Sequence, residues 1–175
     1  FRGYHGDCNE TVLVGNNDGD SHSHSPQVKQ LVQVTRDALY NAIRVCAPGV
    51  YINQVGETIE RTIEPYGFAI LQDFTGHGVG KHFHSYPTIN HCRSRRMEAG
   101  PVQVFKPGMT FTIEPVVNMS THRWRMWKDK WTVVTGNGEM SATWEHSLMI
   151  TENGVEVLTA DEGEQRFYIN DGSAT

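Results

Sequence analysis

The chain lacks any run of roughly 18 apolar residues, so no part of it is expected to cross a bilayer as a helix. It also lacks an excess of positive charge. Fifteen Lys and Arg against 20 Asp and Glu give a formal charge of −5, which offers no attractive field to nucleic acid or to an anionic membrane, and neither is expected as a partner. Cysteine is scarce: Cys8, Cys46 and Cys92 are odd in number and widely spaced, which speaks against a disulfide framework and a paired-cysteine zinc site. Reduced thiols in a cytoplasmic setting are the expectation. An initiating methionine is missing too. The chain opens Phe1-Arg2-Gly3-Tyr4 in what reads as the middle of a strand, so an upstream portion is expected and the lack of a leader at Phe1 carries no weight.

What is present fits one globular domain with a sizeable core: 175 residues, 38% hydrophobic and 20% charged. Thr11, Val12, Leu13 and Val14 favour a strand over Tyr4–Val14 that stops at Gly15. Residues 15–26 are turn formers and polar groups, which reads as an exposed loop, and His22 and His24 within it read as solvated rather than ligating. From Pro26, apolar residues recur at helical spacing through Leu31, Thr35, Ala38, Leu39, Ala42, Ile43 and Cys46, until Pro48-Gly49. A second amphipathic pattern, Ile52, Val55, Ile59, Thr62, Ile63 and Tyr66, ends at Gly67. Later apolar stretches are short and β-branched or aromatic, at 68–71, 109–118, 131–135, 143–150 and 155–158. This order predicts an α+β domain over residues 1–159, with helices covering one face of a largely antiparallel sheet, and a polar tail over 160–175.

Five side chains have chemistry that such surroundings make costly without a partner: Asp7, His77, His84, Glu114 and Glu145. Glu114 and Glu145 each lie among apolar residues of an interior strand, where a carboxylate needs a cation. A structural Lys or Arg satisfies one of them; two carboxylates brought together favour divalent metal instead. His77 lies between glycines in Gly76-His77-Gly78-Val79-Gly80, and His84 follows Phe83 as a candidate donor to a substrate carbonyl, although either ring can also be a structural histidine. Asp7, after Gly6, is on its own compatible with a turn. Among the other histidines, His5 and His146 neighbour candidate carboxylates as supporting or structural groups, and His82, His91 and His122 read as loop or surface positions.

Taken in order, Tyr-His-Gly-Asp-x-Asn-Glu-Thr at 4–11, Gly-His-Gly-Val-Gly-x-x-Phe-His at 76–84, Phe-Thr-Ile-Glu-Pro at 111–115 and Trp-Glu-His-Ser at 144–147 resemble the type I methionine aminopeptidases, and the likeness runs to about Thr159. The resemblance implies the pita-bread fold, two pseudo-symmetric α/β halves around a two-metal centre, with this chain supplying the second half and the end of an incomplete first. It implies hydrolysis of the initiator methionine from nascent polypeptides by a water activated at two divalent ions (Co, Mn, Fe or Zn). By motif, Asp7, His77, Glu114 and Glu145 are implied metal ligands, with Glu145 shared between the ions and Glu114 moving the proton. His84 is implied to contact the substrate, and Phe83 and Trp131 to line the methionine pocket. The implied partners are the nascent peptide with its N-terminal Met, the chain's own upstream segment and the ribosome. A further metal-binding Asp and a substrate-binding His of the family pattern fall before Phe1, and residues 15–26 and 90–100 depart from the usual sequence, which leaves subsite detail open. A silent binding module of the same fold, or a proline-directed relative such as aminopeptidase P or prolidase, are the alternatives.

Overall fold

In the computed structural model, which describes residues 2–15, 24–93 and 103–169, helix α1 (Pro26–Arg44) begins where Ser25-Pro26 predicts it. The Ser25 hydroxyl accepts from the Val28 amide at 3.3 Å, and proline at the first helical position gives up an amide that has no partner there anyway. Its inner face buries Leu31, Val34, Ala38, Leu39, Ala42 and Ile43. Thr35 on that face is buried because its hydroxyl donates to the Leu31 carbonyl at 2.8 Å. Helix α2 (Gln54–Ile63) packs against α1 through Val55, Ile59 and Ile63 and runs into a 3-10 turn, Glu64–Tyr66, that ends at Gly67 in a left-handed conformation. No helix among the described residues is long and apolar enough to cross a membrane.

The strands are β1 (Ala69–Ile70), β2 (Gly76–Gly78), β3 (Ser85–Ile89), β4 (Thr110–Ile113), β5 (Val116–Asn118), β6 (Trp124–Met126), β7 (Val133–Thr135), β8 (Ser141–Thr143), β9 (His146–Ile150), β10 (Gly154–Val157) and β11 (Phe167–Ile169). One antiparallel sheet has the order β11-β10-β9-β4-β2-β3; a second has the order β1-β5-β8; β6 and β7 form a hairpin. Both helices lie over a single core that includes Phe105, Phe111, Ile113, Val117, Leu148 and Ile150. Each fully buried Leu or Ile in it contributes about 1.5–3 kcal/mol.

The stretch read as one strand over 109–118 is two, and so is 143–150. Ile113 pairs with His146 in the six-stranded sheet and Val116 with Thr143 in the three-stranded one. Between these pairs Glu114-Pro115 lies opposite Trp144-Glu145, so two neighbouring chains leave one sheet and enter the other together. Proline has no amide to continue a ladder, which suits Pro115 to this break.

Two expectations differ from the structure. Tyr4–Val14 is extended but makes a single bridge, Asn9 with Glu145, and Val14 is 82% exposed. It is held by side-chain hydrogen bonds in place of a ladder. Residues 160–169, read as the start of a polar tail, fold back: β11 pairs with β10, Tyr168 is buried, and Glu164 accepts from the Tyr40 hydroxyl. Residues 170–175, His22 and most of the 15–26 loop lie outside the described residues. His24 is exposed enough to be a loop residue, with its Nε2 3.0 Å from the Val14 carbonyl.

Candidate metal centre

The segment carrying Asp7 is fastened by an alternation of polar side chains. The Ser147 hydroxyl accepts from the Asp7 amide at 2.9 Å and donates to the Asp7 carbonyl at 2.8 Å. Two residues on, Asn9 and Glu145 exchange backbone hydrogen bonds, and Asn9 Nδ2 donates to Glu145 Oε2 at 2.7 Å. Two further on, the Thr11 hydroxyl donates to the Thr143 carbonyl at 2.8 Å and accepts from the Thr143 amide at 2.9 Å. Positions 7, 9 and 11 thus meet 147, 145 and 143 with the period of an antiparallel pair.

His77 reaches the same point from β2. Its Nδ1 lies 3.1 Å from the Gly78 carbonyl, and donation there leaves a lone pair on Nε2. That lone pair faces Asp7 Oδ2 at 3.6 Å and Glu114 Oε1 at 3.4 Å. Lone pair against ionised carboxylate is repulsive unless a proton or a metal cation lies between them. Ligand atoms of Asp7, His77 and Glu145 lie within 4.8 Å of one another. Glu145 is only 5% exposed, and its Oε1 is buried with no hydrogen bond from a described residue.

Electrostatics agree with the geometry. Burial first, then the charges of Glu114 and Asp7, push the Glu145 carboxyl up to about 8. Burial, helped by Asp7 and opposed by the Thr112 hydroxyl and His84, pushes Glu114 up to about 7. Carboxylates so crowded ionise together only when a cation neutralises them, and an imidazole with carboxylate oxygens suits Mn, Fe, Co or Zn. The donor set therefore fits divalent metal.

The other expected site residues divide. His84 stands edge-on to the His77 ring at 4.2 Å between centroids, and both rings line a cleft of about 550 Å³ with Glu114, Asp73, Phe74, Thr75, Ser85, Tyr86 and Thr88. Phe83 is 44% exposed and its ring lies 5.8 Å from His77 and 5.4 Å from His5. Trp131 is not brought to the cluster: it lies at the β6–β7 hairpin, 86% exposed, and it does not line this cleft. Neither aromatic is a core residue.

Three supporting groups escaped the sequence reading. Ser147 and Thr112 do so because hydroxyls in strands are common; Thr112 accepts from the His77 amide at 3.1 Å and donates to Glu114 Oε1 at 2.9 Å. His91 is a correction: it does lie in a bend just past β3, but it is not a surface residue, being 1% exposed. Burial holds its ring neutral, down at about 3, opposed by the nearby Phe74 backbone. The signal was available: Pro87, Ile89 and His91 are buried and alternate with the exposed Thr88 and the half-buried Asn90. His146 is buried, with Nε2 2.9 Å from the Tyr40 hydroxyl and Nδ1 2.9 Å from the Thr159 hydroxyl, neither partner being a candidate ligand.

Residues 1–152 match the model of metallopeptidase family M24. The chain is 43% identical over 160 residues to methionine aminopeptidase 1A of Arabidopsis thaliana, covering 91% of this chain and 37% of that protein. It is 38% identical over 159 residues to methionine aminopeptidase of Escherichia coli, covering 90% and 55%. The crystal structure of methionine aminopeptidase from Thermotoga maritima superposes with a TM-score of 0.81 at 37% identity, over 92% of this chain and 60% of that one. Prolidase from Pyrococcus furiosus, at 23% identity and a TM-score of 0.63, shares the fold. The chain thus spans about half the length of the relatives it matches. Its architecture is the α+β pita-bread fold, and because the motif-bearing strands, the crowded carboxylates and the family match coincide over the same residues, the chain belongs to metallopeptidase family M24.

Proposed function

We propose that this chain carries most of the metal centre of a methionine aminopeptidase, which hydrolyses the peptide bond after an N-terminal methionine. The observation that carries the reading is the convergence of Asp7, His77 and Glu145 ligand atoms within 4.8 Å, in a chain about 40% identical over most of its length to proteins named methionine aminopeptidase. Asp7, His77, Glu114 and Glu145 would hold two divalent ions, with Glu145 common to both. Such ions supply Lewis-acid polarisation of the scissile carbonyl and acidify a water for attack. The protein's own groups do the rest. Glu114 takes the proton from the attacking water and hands it to the leaving amine. His84, at the cleft wall, donates to the carbonyl oxygen as negative charge develops there. Phe83 offers an aromatic face to the methionine thioether. Trp131 completes that pocket in this reading only with a movement of the β6–β7 hairpin.

The family pattern places a further metal Asp and a substrate His upstream of Asp7, so turnover is expected to depend on polypeptide supplied there, and ribosome contact would be a property of the longer assembly. The test is metal content and Met-Gly-Met hydrolysis by the chain, alone and co-expressed with an upstream segment from a relative, with an Ala-Pro peptide as the competing substrate. Methionine release with bound divalent metal supports the reading. Cleavage of Ala-Pro alone would assign a proline-directed peptidase, and a folded assembly with neither metal nor turnover would leave only a binding module.

A further inference from the structure

Strands β2 and β4 share one ladder pair, Gly78 with Phe111, and the register irregularity at His77/Gly78 lies on the other side of β2, in its pairing with β3. Above that pair the backbone amides of Gly76 and Glu114 need an acceptor that neither strand supplies. His91 supplies it: its Nε2 lies 3.2 Å from the Gly76 amide and 3.2 Å from the Glu114 amide. An imidazole nitrogen that accepts from two amides carries no proton, so the ring's hydrogen resides on Nδ1. The two amides belong to the residue before His77 and to Glu114 itself. We infer that His91 is a positioning residue of the metal centre, holding the β2 and β4 backbones at the separation that sets His77 Nε2 against Glu114 Oε1.

The ring is in turn anchored from the helix side. A Cβ on Gly56 would meet the Cys92 amide nitrogen at 2.7 Å and the Asn90 carbonyl at 2.9 Å, so only glycine lets α2 lie against the backbone on both sides of His91. Arg93 fixes the next residue, with its amide and its Nε each donating to Glu60 Oε2 at 2.9 Å. Helix α2, which carries no candidate ligand, thereby sets the depth to which the His91 ring enters between the two ligand-bearing segments. Thr112 serves the same gap one residue along, through the His77 amide and Glu114 Oε1.

The inference rests on the proposed metal centre only for its affinity readout. In the full chain, Co2+ affinity is measured by isothermal titration for the parent, His91→Phe and His91→Gln, and amide exchange at Gly76 and Glu114 is followed by NMR without metal. Phenylalanine fills the space without an acceptor, whereas the glutamine carbonyl reaches the place of Nε2. His91→Phe is expected to lose about 10–100-fold in Co2+ affinity and to open both amides to exchange, and His91→Gln to bring most of both back. A residue needed only for packing would give the opposite order, with phenylalanine the better substitute, and that order overturns the inference. So does rapid exchange of both amides in the folded parent, a comparison that needs no variant to fold. A parent that binds no Co2+ yet shows the exchange pattern would sink the metal reading and leave the His91 assignment standing.

Discussion

Glutamine in place of Glu145 keeps the shape of the side chain and an acceptor for Asn9 Nδ2 but cannot ionise. Raising the Glu145 carboxyl from 4.5 to about 8 makes its charged form in the folded, metal-free chain about 4–5 kcal/mol less favourable than it is in the unfolded chain. The sign follows from proton counts. Above pH ~4.5 the unfolded chain has lost this proton while the folded chain keeps it, so stability is fully present below that pH and declines as pH rises through about 8. Glu145→Gln removes this decline, leaving a smaller one from Glu114, whose carboxyl is pushed up to about 7 in the same direction. Urea unfolding followed by circular dichroism in EDTA measures it. Parent and variant are expected to be nearly equal at pH 5, with the variant ahead by about 4 kcal/mol at pH 9. Adding Co2+ at pH 7 reverses the ranking, because only the parent retains the anionic oxygen that binds the ion. A metal-free parent whose stability is flat or rises from pH 5 to pH 9 would refute the reasoning.

His84→Ala is expected to lower kcat for Met-Gly-Met by about 10²–10³ in the active assembly while metal content by atomic emission stays unchanged; loss of metal would make His84 a ligand instead. Ser147→Ala leaves the Asp7 amide and carbonyl without their partner, and should weaken local docking by about 1–3 kcal/mol, seen as faster amide exchange at Asp7 with little change in global Tm. Gly154→Ala puts a Cβ 1.9 Å from the Tyr168 carbonyl, so β11 must move away: about 1–3 kcal/mol of stability is expected to go, together with protection of residues 164–169 from trypsin, and unchanged proteolysis would count against the pairing of β10 with β11.

Much of the fold was legible because its signals are local. Ser25-Pro26 and Gly67 mark helix limits, and the Leu31 to Ile43 periodicity marks the buried face of α1. Asp7, His77, Glu114 and Glu145 stood out as polar groups in apolar or glycine-bounded strands, and the structure brings these together with His84. Tyr4–Val14 was misread as a strand because β propensity reports a fit to a pleated surface, whereas pairing here runs through Ser147, Asn9 and Thr11 side chains. The tail was misread because a few residues, Glu164 and Tyr168 among them, tie a polar stretch to α1 and β10. His91 was missed for a related reason. Its role depends on where two amides 38 residues apart in sequence, at 76 and 114, lose their ladder partners, and no local pattern encodes that.

The manner in which residues 5–11 are attached has a thermodynamic consequence. Asp7 arrives on a strip joined by one bridge, the His5 amide on the Gly80 carbonyl and a few hydroxyl and amide contacts, while His77 stands on β2 and Glu114 and Glu145 at the crossover between the two main sheets. With so few ladder contacts, such a strip is expected to open more readily than the core. Ion affinity then scales with the docked fraction, so a strip in place roughly a tenth of the time weakens apparent binding about tenfold. Reciprocally, a divalent ion held there would act as a clasp: metal supply and closure of this edge of the molecule would become a single coupled equilibrium, and whatever loosens the strip would also starve the site.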